Sequence, residues 1–104
     1  MAIKRFEKAV SEELDYTIEW DDWLTGPELV DTSTWEISPN DAILVEITSS
    51  ISGDGLSTTG WFDEGSEGVT YTLTNTITTD STPPRKASRS FLLTLLETRY
   101  LEQA

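Results

Sequence analysis

Between Val69 and Thr79 the chain reads VTYTLTNTITT, with threonine at every even position from 70 to 78 and Val69, Tyr71, Leu73, Asn75 and Ile77 at the odd ones. A two-residue period separates the two sets, so the stretch is a strand with one face toward a core and the other toward water. Burying Tyr71, Leu73 and Ile77 stabilises by roughly 1.5–3 kcal/mol each, and the five threonines are expected to stay mostly exposed. A second run, Ser88 to Glu97, follows a loop containing Pro83 and Pro84. Two such runs joined by a Pro-rich connection predict an antiparallel hairpin, the longest of the domain. Phe91, Leu92, Leu95, Leu96 and Arg99 also fit helical spacing, with Ser90 placed as an N-cap. A strand through Leu96 is preferred, because the preceding strand needs a partner; residues 98–104 are left helical or as an extended tail.

Upstream, the period of two recurs. Leu14, Tyr16, Ile18 and Trp20 alternate with Asp15, Thr17, Glu19 and Asp21 in a first strand, and a connection with Gly26 and Pro27 follows, anchored by Trp23 and Leu24. Ser33 to Ser38 places Trp35 and Ile37 on one face of a short second strand. Ala42 to Ser52 sets Ile43, Val45 and Ile47 against Leu44, Glu46 and Thr48 in a third. Gly53-Asp54-Gly55 suits a tight reversal, and Leu56 to Phe62 forms a fourth strand before the loop DEGSEG. Met1 to Glu13 reads either as one face of a short helix, through Ile3, Phe6 and Val10, or as an extended arm. The expectation is an all-β antiparallel sandwich of about six to seven strands over residues 14–97, with an arm at 1–13 and a tail at 98–104.

The chemistry of the chain limits its function. At 104 residues it is one domain, with 7 basic against 19 acidic residues and a net charge of −12. No Lys or Arg occurs between Ala9 and Pro84, which makes the body a poor match for nucleic acid. Neither a secretory h-region nor a stretch long enough to span a membrane is present, so the product is expected to stay in the cytoplasm of the cell that makes it. Histidine and cysteine are absent, removing the commonest general base, the commonest metal ligand and any thiolate. The pairs Asp21-Asp22 and Asp63-Glu64 are unspecific for acid/base work. The expectation is no enzyme and no cofactor. Calcium is an alternative, should the loops at Gly53–Gly55 and Asp63–Gly68 lie at one end of the sandwich.

Contact surfaces are the more informative candidates. Trp20 and Trp35 fall on apolar faces, whereas Trp23 and Trp61 lie at strand ends, where a partner surface or a rim is equally natural. If Phe91, Leu93 and Leu95 face inward, Leu92 and Leu96 face outward, either under a terminal segment or in a subunit interface. Ile3, Phe6, Tyr100 and Leu101 have no clear place in the sandwich. Arg85 and Lys86, with Arg89, form the only basic cluster outside the extreme termini, suited to a neighbour's acidic face or simply to a solvated hairpin tip.

Three landmarks occur together: LDYTIEWDDWL at Leu14 to Leu24, WFDEGSEGVTYTLTNTITT at Trp61 to Thr79, and RSFLLTLLE from Arg89. With the pattern formed by Gly68, Tyr71, Asn75, Ile77 and Thr79, the chain resembles, over about residues 12–97, the small tail-associated adaptors of tailed bacteriophages, the fiber-tail or head-tail adaptors. The resemblance implies an immunoglobulin-like β-sandwich and a structural role in a virion, with tail, neck or fibre proteins and further copies of the chain, in an oligomer or ring, as partners. Members of that family favour a Gly-rich loop after the Trp and a short Gly-containing turn after the Thr. Asp63-Glu64-Gly65 and the longer Asp80 to Ala87 stand there instead, departures that bear on the contact surface and not on the fold. Alternatives are a capsid decoration protein, or a carbohydrate-binding module using Trp23 and Trp61.

Overall fold

The strand at Thr70–Thr79 forms as its alternation requires: Tyr71, Leu73, Asn75, Ile77 and Thr79 are all buried. The protein is described by a computed structural model over residues 4–98. Its strands are β1 (Arg5–Ala9), β2 (Leu14–Glu19), β3 (Val30–Ser38), β4 (Leu44–Ile51), β5 (Ser57–Glu64), β6 (Thr70–Thr79) and β7 (Lys86–Leu96). They form two sheets, ordered β1-β7-β6-β3 and β2-β5-β4, packed as an all-β sandwich. The β6–β7 hairpin is antiparallel from Thr70↔Thr94 to Thr78↔Lys86, so Phe91, Leu93 and Leu95 join the core. The helical alternative for Phe91 to Leu96 is thereby set aside.

Four of the five expected exposed threonines, Thr72, Thr74, Thr76 and Thr78, are half-buried; only Thr70 is open. Strands flank β6 on both sides and hydroxyls pair across them: Thr74 with Ser90 at 2.8 Å, Thr76 with Ser88 at 2.7 Å, Thr70 with Thr94 at 2.9 Å, and Thr78 with Thr32. Such cross-strand pairs stabilise the sheet modestly.

Three departures from the sequence reading have local causes. Residues 5–9, expected as helix or arm, form β1, which runs parallel to β7 from Arg5↔Leu92 to Ala9↔Leu96, so not every pairing is antiparallel. The buried Lys8 turns its amine to backbone carbonyls, donating to Glu64 at 2.7 Å and Ala9 at 2.9 Å. Burial pushes this amine below its ordinary pKa, against the opposing pull of Asp63, Glu12 and Glu64. Second, β3 begins at Val30, ahead of Ser33, with a bulge between Val30 and Thr32. Third, β4 turns Leu44 inward, so Ile43, 48% exposed, Val45 and Ile47, 47% exposed, stand outside; a bulge between Glu46 and Thr48 then shifts the inward positions further along, to Ser49 and Ile51.

The core holds two apolar clusters. Leu73 belongs to the one containing Trp35, Phe62 and Phe91, and Ile77 to the one containing Trp20 and Val30. Asn75 lies between these two positions on the same face of β6, in a polar network. Its carboxamide oxygen accepts from the Trp20 indole at 3.1 Å and the Thr58 hydroxyl at 2.6 Å, and its amide donates to Ser33 Oγ and Thr34 O, both at 2.9 Å. Gly60 of β5 gives the larger cluster its tight fit: a Cβ there would stand 2.8 Å from the Trp35 ring and 2.9 Å from Phe62.

In chemical denaturation Leu73→Ala is expected to cost about 2–5 kcal/mol and Thr74→Ala less than about 1. Asn75→Leu is expected to cost about 1–3 kcal/mol for each buried group it leaves without a partner. Equal, small effects at all three positions would contradict this register.

Candidate partner-binding surface

The connection after β2 is fixed to the strand start at Lys86 by one ion pair. Glu28, buried in a turn whose Glu28 N–H bonds to Thr25 O, accepts from Arg85 Nε at 2.9 Å and from Arg85 Nη2 at 2.5 Å. The guanidinium also donates to Trp23 O at 3.2 Å and lies 4.0 Å over the Trp23 ring. Ser81 donates to the same carboxylate at 2.9 Å. A second arginine repeats the arrangement: Arg89 pairs with Asp22 at 2.9 Å, donates to Glu19 O at 2.7 Å and stacks 4.6 Å over Trp20. Two of the three residues in the expected basic cluster are therefore held by the chain's own acids and indoles. Among the described residues Lys86 has neither, and its exposed side chain borders the hydroxyl-rich outer face of the larger sheet, near Glu36 and Ser88.

The other candidates fall in distinct places. Phe6, 38% exposed, stands at the open side of the sandwich, its ring 5.2 Å from Tyr16 and 5.3 Å from Phe91. Leu92 and Leu96 are half-buried on β7, opposite Arg5 and Ala9 of β1. Ile3, Tyr100 and Leu101 lie outside the described residues. Trp23 and Arg85 thus form one unit, Phe6 and Arg89 border one cleft, and Lys86, Leu92 and Leu96 lie along one strand. Sequence reasoning missed Ile43, Val45 and Ile47 as exposed apolar side chains, since the alternation alone does not say that Leu44 is the inward residue. It also missed Glu28, whose partner is 57 residues away.

Trp61 is exposed in mid-strand, whereas the Trp23 ring is covered by Arg85. The loops proposed for calcium flank β5 at opposite ends, and eight extended residues separate them by about 25 Å. Among the described residues no three Asp or Glu side chains converge as a cation requires. Asp54 is instead occupied by Ser52 Oγ at 2.6 Å and Leu56 N–H at 3.1 Å. Asp41 accepts from the Tyr71 hydroxyl at 2.5 Å and from Ile43 N–H at 2.9 Å. These bonds hold both carboxyls below the ordinary aspartate range, that from Ser52 foremost for Asp54 and that from Tyr71 for Asp41.

A family model described as podophage GP4 fiber-tail adaptor protein gp77 matches residues 8–94. The matched span runs from the buried Lys8 to Thr94 of β7 and takes in nearly the whole sandwich. No curated protein matches the chain.

The ion pair has a pH signature. Its bonds to Arg85 foremost, then to Thr25 and Ser81, hold the Glu28 carboxyl far below its ordinary value of 4.5. A carboxyl more acidic in the folded than in the unfolded chain contributes fully above the unfolded value, and that contribution is lost as pH falls below it toward the folded value. Glu28→Gln is expected to lower the melting temperature near neutral pH, with the gap to the parent protein shrinking by about pH 3. Thermal melts across that range check it; a gap independent of pH would remove the charge from the account.

Proposed function

Because this chain belongs to the family of podophage GP4 fiber-tail adaptor proteins, we propose that it is a non-enzymatic structural component of a phage virion, joining tail, neck or fibre components through protein–protein contacts. The observation that carries this reading is the extent of the family match, which covers the sandwich from Lys8 to Thr94. The state of the acids supports it. Asp22, Glu28, Asp41 and Asp54, the carboxyls displaced from their ordinary range, are each displaced by bonds within the chain: Asp22 and Asp41 to the strand residues Arg89 and Tyr71, Glu28 to Arg85 of another connection, and Asp54 within its own turn. Such bonds build a frame for contact. Large apolar side chains at Phe6, Ile43, Val45, Ile47 and Trp61 remain on the surface of a small domain, as docking surfaces do.

In this reading the contacts with neighbours run through Phe6, Lys86, Leu92 and Leu96 and, beyond the described residues, Ile3, Tyr100 and Leu101. Trp23, Arg85 and Arg89 reach a neighbour only as pairs already made. Copies of the chain meet head to tail in a ring, for which two different complementary patches are needed. Lys86, an exposed cation at the start of β7 with no ion pair among the described residues, suits the acidic body of the next copy on a chain of net charge −12.

Cryo-EM of particles made with and without this chain tests the role: the expected result is density for the sandwich between tail and fibre, with fibres lost in its absence. Particles keeping their fibres without it would overturn the reading. Lys86→Glu is expected to weaken assembly at low salt, with the defect shrinking as salt screens the repulsion. Assembly unchanged at low salt would take Lys86 out of the interface.

A further inference from the structure

The strand β7 is eleven residues long, yet β1 covers only its last five, Leu92 to Leu96. Successive residues of a strand turn their backbone groups to alternate sides. The bonds from Thr79 N–H to Arg85 O and from Leu95 N–H to Val69 O put the odd positions of β7 on the β6 side. The bond from Leu92 N–H to Lys4 O puts the even positions on the side of β1. Lys86, Ser88 and Ser90 therefore direct their N–H and C=O groups to a side where, among the described residues, no strand lies.

That open edge borders a cleft of about 830 Å³ between the two sheets. Phe6 and Phe91 wall it from the larger sheet, and Tyr16 and Ile18 from β2. Its charges balance, Lys4 and Arg89 against Glu19 and Asp22, on a chain whose net charge is −12. Two other edges of the sandwich are blunted: β3 has its bulge between Val30 and Thr32 and β4 between Glu46 and Thr48, irregularities that spoil a template for pairing. The register of β7 on β6 runs without a shift through the open segment.

We propose that Lys86 to Ser90 is the site where a neighbouring structural protein of the tail adds an extended strand, in line with β1, and seats an apolar side chain in the cleft. This rests on the adaptor reading above and names the surface through which it works. Three even positions offer donors and acceptors in turn, which fits an incoming strand of about five residues; the backbone bonds supply affinity and the aromatic walls supply selectivity. The balanced lining selects a strand without net charge, carrying apolar residues at alternate positions. A basic segment, the default partner for so acidic a chain, gains nothing over a neutral one here.

Hydrogen exchange, read residue by residue on the free chain and on the same chain within assembled tails, tests the site. The Ser88 and Ser90 amides are expected to exchange rapidly in the free chain and at least about 100-fold more slowly in tails, with Leu92 slow in both. Slow exchange at Ser88 and Ser90 in the free chain would mean that the chain covers its own edge, and would overturn the proposal. Rapid exchange in tails that contain the chain would overturn it while leaving the adaptor role standing; absence of the chain from tails would remove both. As a second measurement, Ser90→Pro deletes the outward donor without touching a β6–β7 backbone bond, whereas Ser90→Ala deletes only the hydroxyl. A folded Ser90→Pro chain is expected to enter tails at less than about a tenth of the parent level, and Ser90→Ala at the parent level. Equal entry by both would overturn the proposal, and if Ser90→Pro does not fold, the exchange comparison decides.

Discussion

The two sheets are held in one relation by the carboxamide of Asn75. It stands between two apolar clusters and binds at once to its neighbour strand, through Ser33 and Thr34, and across the interior to Thr58 and Trp20. Apolar packing tolerates a slip of two positions, which returns a Leu to the same face and similar surroundings. A buried amide does not, because moving it strands several donors and acceptors in a medium without water. The network thus specifies which residues of β3, β5 and β6 lie opposite one another, and the apolar side chains fill the space that this alignment leaves.

The same residue explains what the family pattern reports. Tyr71, Asn75, Ile77 and Thr79 all face inward, and Gly68, with a φ of +82°, leads into the strand that carries them. Tyr71 extends from the core to the loop at Asp41, and the Thr79 hydroxyl accepts from Arg85 N–H at 2.8 Å, at the other end of β6. These positions describe how the sandwich is built. None of the residues proposed above for contact with a partner is among them.

Much of that frame was legible because β6 and β7 differ chemically between their two faces and run without a bulge. Where one of these conditions failed, so did the reading. In β4 Leu44 turns inward ahead of a bulge that changes which positions face the core, and Ile43 and Ile47 end outside although the alternation itself is clear. In β1 the obstacle was Lys8, a charged residue on an inward position, acceptable only because carbonyls from Glu64 and Ala9 surround its amine. The basic loop was read as free because its acid, Glu28, lies in another connection, and an ion pair between distant segments leaves no periodic trace. The exposed edge of β7 depends on how far β1 extends along it, a property of pairing that no single strand's sequence displays.

The parallel pairing of β1 with β7 also bears on mechanics. Tension drawn through Lys4 at one end and Glu97 at the other pulls the two strands past each other along their length. In that geometry the bonds between Arg5–Ala9 and Leu92–Leu96 share the load together, where an antiparallel pair pulled from its open end would release them one at a time. Resistance to force is set by the rate of unfolding and not by the depth of the folded state. A domain pulled through these two ends thereby gains a lifetime under strain that its thermal melting does not report.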